Sequence, residues 1–138
     1  MADIARRCVP YTPLWKPLNQ MKIALVSTAG VYLKSQEPYN LESDESFRLF
    51  PGDFTSADLA FAHEHYDHSD ADQDPNVMYP IDRLRELAAE GIIGGVANKH
   101  IGMMGYSMKL KQVYEETVPA IAKEINRSNA DAVLLTAG

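Results

Sequence analysis

The sequence is poor in the residues that would give a function away cheaply. It has one cysteine, Cys8, so no internal disulfide and no CxxC pair can form. It has no apolar run near the ~20 residues needed to cross a bilayer. After Arg6 and Arg7 no apolar stretch follows, so Met1 to Pro10 does not read as a secretory signal. These absences predict a cytoplasmic protein without a membrane partner. Two phosphate-loop patterns are missing: Thr28-Ala29-Gly30 completes no GxGxxG, and no Gly-Lys-Ser/Thr follows it. No serine sits in a GxSxG elbow, and Cys8 lies away from any strand end.

Basic charge is also scarce where it would matter for nucleic acid. The net charge is −6, which speaks against a nucleic-acid partner. From Glu37 to Asp74 there are eleven acids and one base, Arg48. That block is either a solvated loop region or a surface for a cation or basic partner.

What is present reads as α/β. With 138 residues the chain fits one domain. Pro10, Pro13 and Pro17 around Tyr11, Leu14, Trp15 and Leu18 predict an extended, proline-rich arm over residues 1–21. Residues 22–138 then form an α/β domain. Ile23-Ala24-Leu25-Val26 is a continuous apolar run, as in strands buried on both faces. Weaker strands are expected at Phe47 to Phe50 and Asp58 to Ala62. A helix is expected from Pro80 to a stop at Gly91, with Ile81, Leu84, Leu87 and Ala88 on one face. Ile92 to Ala97 is another strand candidate. Ser107 to Ser128 reads as helical with a break at Pro119, the second helix starting near Thr117. Ala132 to Leu135 is a last strand. Strands alternating with helices predict a parallel, Rossmann-like sheet in three layers.

Three groups of residues could carry chemistry. Ser27 and Thr28 follow the first strand, where α/β proteins place ligands. His100 follows the Ile92 to Ala97 segment and is expected on a loop near the same end. The densest group is His63-Glu64-His65-Tyr66-Asp67-His68. Its HxHxDH spelling resembles the metal signature of the metallo-β-lactamase fold, with His63, His65, Asp67 and His68 as ligands to a zinc-like divalent ion. The alternative is a polar loop of hydrogen-bonded histidines. A metal-dependent hydrolase and a non-catalytic interaction module both stay open on the residues alone. Gly102-Met103-Met104-Gly105 reads as turn glycines with packing methionines.

A series of segments, in order and spanning nearly the whole chain, resembles the selenoprotein B family of the glycine, sarcosine, betaine and D-proline reductases. It comprises Tyr11 to Leu18, Ile23 to Val31, His65 to Asp72, Tyr79 to Leu87, Gly91 to Ala97, Met104 to Tyr106 and Asp131 to Thr136. The resemblance implies reductive cleavage of a C–N bond α to a carboxylate. It implies a selenocysteine or cysteine nucleophile directly after the last strand, electrons from a thioredoxin-like carrier, and other reductase subunits, one of them pyruvoyl-bearing. No catalytic residue of that kind lies in the chain; the family would place it just past Gly138. The expectation is therefore a reading frame cut at a selenocysteine codon, a C-terminally incomplete fold and a chain inactive alone. Val133, Leu134 and Leu135 would then be left uncovered, which predicts a homodimer or larger assembly.

Overall fold

The computed structural model describes residues 12–62 and 66–137. In chain order its strands are Lys22–Ser27 (β1), Val31–Leu33 (β2), Phe47–Pro51 (β3), Leu59–Phe61 (β4), Gly95–Val96 (β5), Lys99–Met103 (β6) and Ala132–Thr136 (β7). The helices are Ser69–Gln73 (α1), Ile81–Ala89 (α2), Leu110–Gln112 (α3) and Val118–Asn126 (α4). A π-helical turn, Val113–Thr117, joins α3 to α4.

β1 is the middle of the main sheet. Every residue of it except Lys22 is buried, as its unbroken apolar run requires. β7 runs parallel along one side, from Ile23↔Ala132 to Ser27↔Thr136. β5 and β6 run parallel along the other, and β3 lies beyond β6. β2 and β4 form a separate antiparallel pair. The fold is thus α/β, but the expected all-parallel sheet is corrected: β3 is antiparallel to β6, from Phe47↔Met103 to Pro51↔Lys99. The reason is connectivity. No helix separates β1 from β3, so the helical crossover that enforces parallel direction is missing there.

The Ile92 to Ala97 strand is also corrected. Only Gly95–Val96 pairs, and the ladder resumes at Lys99. Lys22↔Gly95 and Ile23↔Val96 are followed by Val26↔Ile101 and Ser27↔Gly102. Four residues, 97–100, therefore oppose two of β1. This wide bulge is tied down by side chains. Asn98 N–H donates to Asn129 Oδ1 at 2.8 Å, and Asn129 N–H returns the bond to Asn98 Oδ1 at 3.3 Å.

The core fills one face of β1. Ile23 and Leu25 pack there with Phe50, Phe54, Tyr79, Ile81, Leu84 and Ile93. The rings of Phe50 and Tyr79 meet edge to face at 5.5 Å. α2 buries Ile81 and Leu84 as its apolar face predicts, and Gly91 follows it with φ +74°. Val26, on the alternate face of β1, lines a groove with Val118, Ile121 and Ile125 of α4. The break at Pro119 takes the expected place, with α4 starting at Val118. Proline lacks the N–H that would bond back one turn, and the wider π turn before it absorbs the mismatch.

The described part of the arm lies against the start of β1 and β7. Lys16 Nζ pairs with Asp131 Oδ2 at 2.5 Å, and the same carboxylate accepts Lys22 N–H at 2.8 Å. Residues 1–11, with Cys8, lie outside the described residues. Among the described residues no helix is long and apolar enough to cross a membrane.

Candidate functional site

Because β1, β6 and β7 run in the same direction, their C-terminal ends gather at one edge. Thr28 N–H donates to Thr136 O at 3.1 Å, and Gly30 N–H donates to Met103 O at 2.9 Å. The chain leaves β1 through the turn Thr28-Ala29-Gly30. Gly30 has φ +68°, and a Cβ there would lie 2.4 Å from Ala62 O. Only glycine allows this turn to sit so close to the neighbouring backbone. The contact is used on both strands: Ala62 N–H donates to Gly30 O at 3.0 Å, and Tyr66 Oη donates to Ala29 O at 2.5 Å. Ala62 and Tyr66 flank the segment holding His63 and His65. Ala62 and Tyr66 are thus both bonded to the strand-end turn, while His63 and His65 lie outside the described residues.

Beside the turn is a crevice of about 280 Å³. Thr28, Met103, Met104, Ser107, Leu110 and Tyr114 line it. It combines thioether and aromatic walls with two hydroxyls, the composition of a small-molecule site. Its outer wall is the segment from Ser107 to Thr117, and a buried carboxylate holds that segment in place. Glu45 is 8% exposed. Its Oε1 accepts from the Ser43 hydroxyl and from Ser107 Oγ at 2.7 Å, and its Oε2 faces Lys109 Nζ at 3.1 Å. The Thr117 hydroxyl donates to the Glu45 carbonyl. The two serine hydroxyls, with Lys109, hold the Glu45 carboxyl down at about 2.

The expected site residues separate in three dimensions. Thr28 is at the crevice. Ser27 is fully buried beside it, and its hydroxyl accepts the Ala29 N–H at 3.2 Å, which shapes the turn. His100 is corrected in place: it lies within β6, is 0% exposed, and has both ring nitrogens bonded to backbone. The bulge turns its ring into the gap in the β1–β6 ladder, which a loop position would not do. Burial pushes its pKa down to about 4. Asp67 Oδ1 accepts Ser69 N–H at 3.0 Å at the start of α1. His68 Nδ1 pairs with Asp72 Oδ2 at 2.9 Å. Among the described residues no group of three or more His, Cys, Asp or Glu side chains is placed to hold a metal ion. The described members of the HxHxDH stretch, Asp67 and His68, are thus engaged in local contacts.

Sequence reasoning missed Glu45 and the two methionines as walls of one site. Glu45 stands among acids that read as solvent-facing, and two of its three side-chain partners lie 62 and 64 positions away. No short-range pattern could have joined them.

The fold is a mixed α/β sheet with a small crevice beyond its parallel strand ends, the edge where open α/β sheets place ligands. Residues 4–138 match the model of the glycine/sarcosine/betaine reductase selenoprotein B family, and the chain belongs to that family. It is 45% identical over 128 residues to the D-proline reductase subunit gamma of Acetoanaerobium sticklandii, covering 93% of this chain and 53% of that protein. It is 34% identical over 134 residues to a glycine reductase complex component B subunit gamma of Carboxydothermus hydrogenoformans, covering 93% of this chain and 30% of the relative. A sarcosine reductase complex component B subunit beta of Peptoclostridium acidaminophilum is 28% identical over 134 residues, with coverages of 93% and 30%. The chain thus spans about half the length of the first relative and under a third of the other two. No solved structure matches it significantly.

Proposed function

We propose that this chain works in an amino-acid reductase that breaks the C–N bond α to a carboxylate, with D-proline as the substrate. The observation that carries the reading is the 45% identity over 93% of the chain to a D-proline reductase subunit, against 34% and 28% for the glycine and sarcosine relatives. The crevice favours the same choice: methionine and tyrosine walls suit the methylenes of a pyrrolidine ring better than they suit glycine. In the overall reaction the C–N bond takes up two electrons and two protons, and a dithiol of a thioredoxin-like donor becomes a disulfide.

The nucleophile of this reading is a selenolate or thiolate contributed by polypeptide other than residues 1–138, and a pyruvoyl-bearing partner subunit supplies amine activation. What this chain contributes is the strand-end scaffold: the Thr28-Ala29-Gly30 turn, the Met103-Met104 wall and the Glu45-clamped segment opposite. The isolated chain is then expected to form no ring-opened 5-aminopentanoate from D-proline with a dithiol donor.

The test is a chimera. The matched region of the Acetoanaerobium sticklandii gamma subunit is replaced by this sequence, and the folded chimera is assayed in its complex on D-proline, glycine, sarcosine and betaine. Reduction of D-proline alone is expected. A folded chimera that is inactive on D-proline, or turnover by the isolated 138-residue chain, overturns the reading.

A further inference from the structure

β7 has the sequence of an interior strand and the environment of an edge. Ala132-Val133-Leu134-Leu135 is an unbroken apolar run like that of β1, the pattern of strands covered on both faces. Yet among the described residues β7 pairs only with β1. Val133, Leu134 and Leu135 are 41%, 39% and 73% exposed, where the matching stretch of β1 is buried. The strand contains no lysine, proline or inward charge, the usual devices that protect a sheet edge.

The apolar surface continues away from the strand on two sides. On the α4 face a groove of about 320 Å³ runs between Val133 and Leu135 of β7 and Val118, Ile121 and Ile125 of α4. At the start of the strand, Val133 also borders a second hollow, of about 400 Å³, with Leu14 and Trp15 of the arm. Among the described residues α4 buries no side chain fully, although its apolar residues fall on one face. Leu134 points to the opposite face from Val133 and Leu135, so both faces of the strand need cover.

We infer that the open edge of β7, with the α4 groove, is the seat of one more parallel strand and its helix. Both come from the polypeptide that the relatives carry outside the region matched here. The occupant is set by two observations. The relatives hold about as much polypeptide again as this chain, or more, and β7 is the described strand of the main sheet with an apolar run on both faces and a free side. A second copy of this chain fits less well. Its two-fold would pair β7 with itself and bring only another uncovered Leu134 to the face opposite α4. The inference rests on family membership and is independent of the substrate.

The experiment expresses residues 1–138 with an affinity tag beside a separately encoded polypeptide, the part of the Acetoanaerobium sticklandii D-proline reductase subunit gamma outside its matched region. A one-to-one complex is expected by light scattering, with the β7 amides that point away from β1 protected from hydrogen exchange only in the complex. Leu135→Lys and Val118→Lys should each lower the copurified partner at least tenfold while circular dichroism stays unchanged. Val77→Lys, an exposed residue outside this surface, should leave it unchanged. No complex, a complex insensitive to both lysine variants, or a homodimer of residues 1–138 that itself protects β7 overturns the inference. Activity is not read, so the result is separate from that of the substrate chimera.

Discussion

The Leu25 amide N–H donates to Nδ1 of the His100 imidazole at 3.0 Å, where a strand carbonyl would ordinarily stand. The bulge between β5 and β6 removes that carbonyl from reach, and the ring replaces it. Nδ1 accepts, so the proton sits on Nε2, which donates to Ala97 O at 3.0 Å. On the other group of the same residue, Tyr79 Oη donates to Leu25 O at 3.2 Å and is shared with Ile101 O at 3.3 Å. Two side chains thus close a gap in the ladder at the centre of the sheet.

This arrangement works only with a neutral ring. His100 has an ordinary pKa of 6.5 and is pushed to about 4 in the fold, so the unfolded chain takes the proton first. Its contribution is complete above pH 6.5 and is lost as pH falls toward about 4. The total is about 3 kcal/mol, from about 1.4 kcal/mol for each pKa unit. Urea unfolding at pH 7.5 and pH 5 should show this loss in the wild type. His100→Phe should remove most of that difference and lower stability at pH 7.5 by about 1–3 kcal/mol through the orphaned Leu25 N–H. Equal pH dependence in both proteins counts against the ladder role.

Glu45 titrates at still lower pH. Its folded pKa of about 2 lies below the ordinary 4.5, so its contribution holds above pH 4.5 and is lost as pH falls toward 2. Glu45→Gln keeps the shape and weakens the bonds from Ser107 and Lys109. A loss of about 1–2 kcal/mol is expected. Faster hydrogen exchange should follow across residues 107–117, with little change in α2. Uniform change across the chain would mean that Glu45 does not clamp that segment in particular.

Gly102 offers a purely steric test. A Cβ there would lie 2.1 Å from Val31 O, 2.8 Å from Val31 Cγ1 and 2.9 Å from Phe50 Cζ. These atoms belong to backbone and core and cannot swing away. Gly102→Ala should therefore cost on the order of 3 kcal/mol or more in a chemical denaturation series. A midpoint unchanged from wild type would place β2 and β6 farther apart than described.

At the crevice, Thr28→Val keeps the volume and removes the hydroxyl. In the D-proline chimera KM should rise about tenfold, the effect of one lost hydrogen bond of about 1.4 kcal/mol. Thermal stability should stay near that of the parent chimera. An unchanged KM would remove Thr28 from the binding site.

The legible part of the fold was the part written in local patterns. β1 and β7 are continuous apolar runs, and α2 has its stripe and its Gly91 stop. The break before Pro119 is a property of one residue. β6 was hidden because Lys99, His100 and Gly102 are poor strand formers, and their places depend on Glu124, Leu25 and Val31, each distant in sequence. The direction of β3 leaves no periodic trace. Of the site, Thr28 could be read from its place after a buried strand, whereas Glu45 and the methionine wall exist only once residues 45 and 107 meet.

The pairing of β1 with β7 also sets the order in which this domain can be made. Ile23 meets Ala132 across 109 positions, and the Lys16–Asp131 pair closes a still longer loop. During synthesis β1 leaves the ribosome early and waits with one side unpaired until residues 132–136 emerge. The chain is exposed through that interval with its central strand half-satisfied, the situation in which contact order slows folding and chaperones compete with aggregation. Pauses in translation placed before Ala132 would lengthen that exposure, and those placed after Thr136 would not.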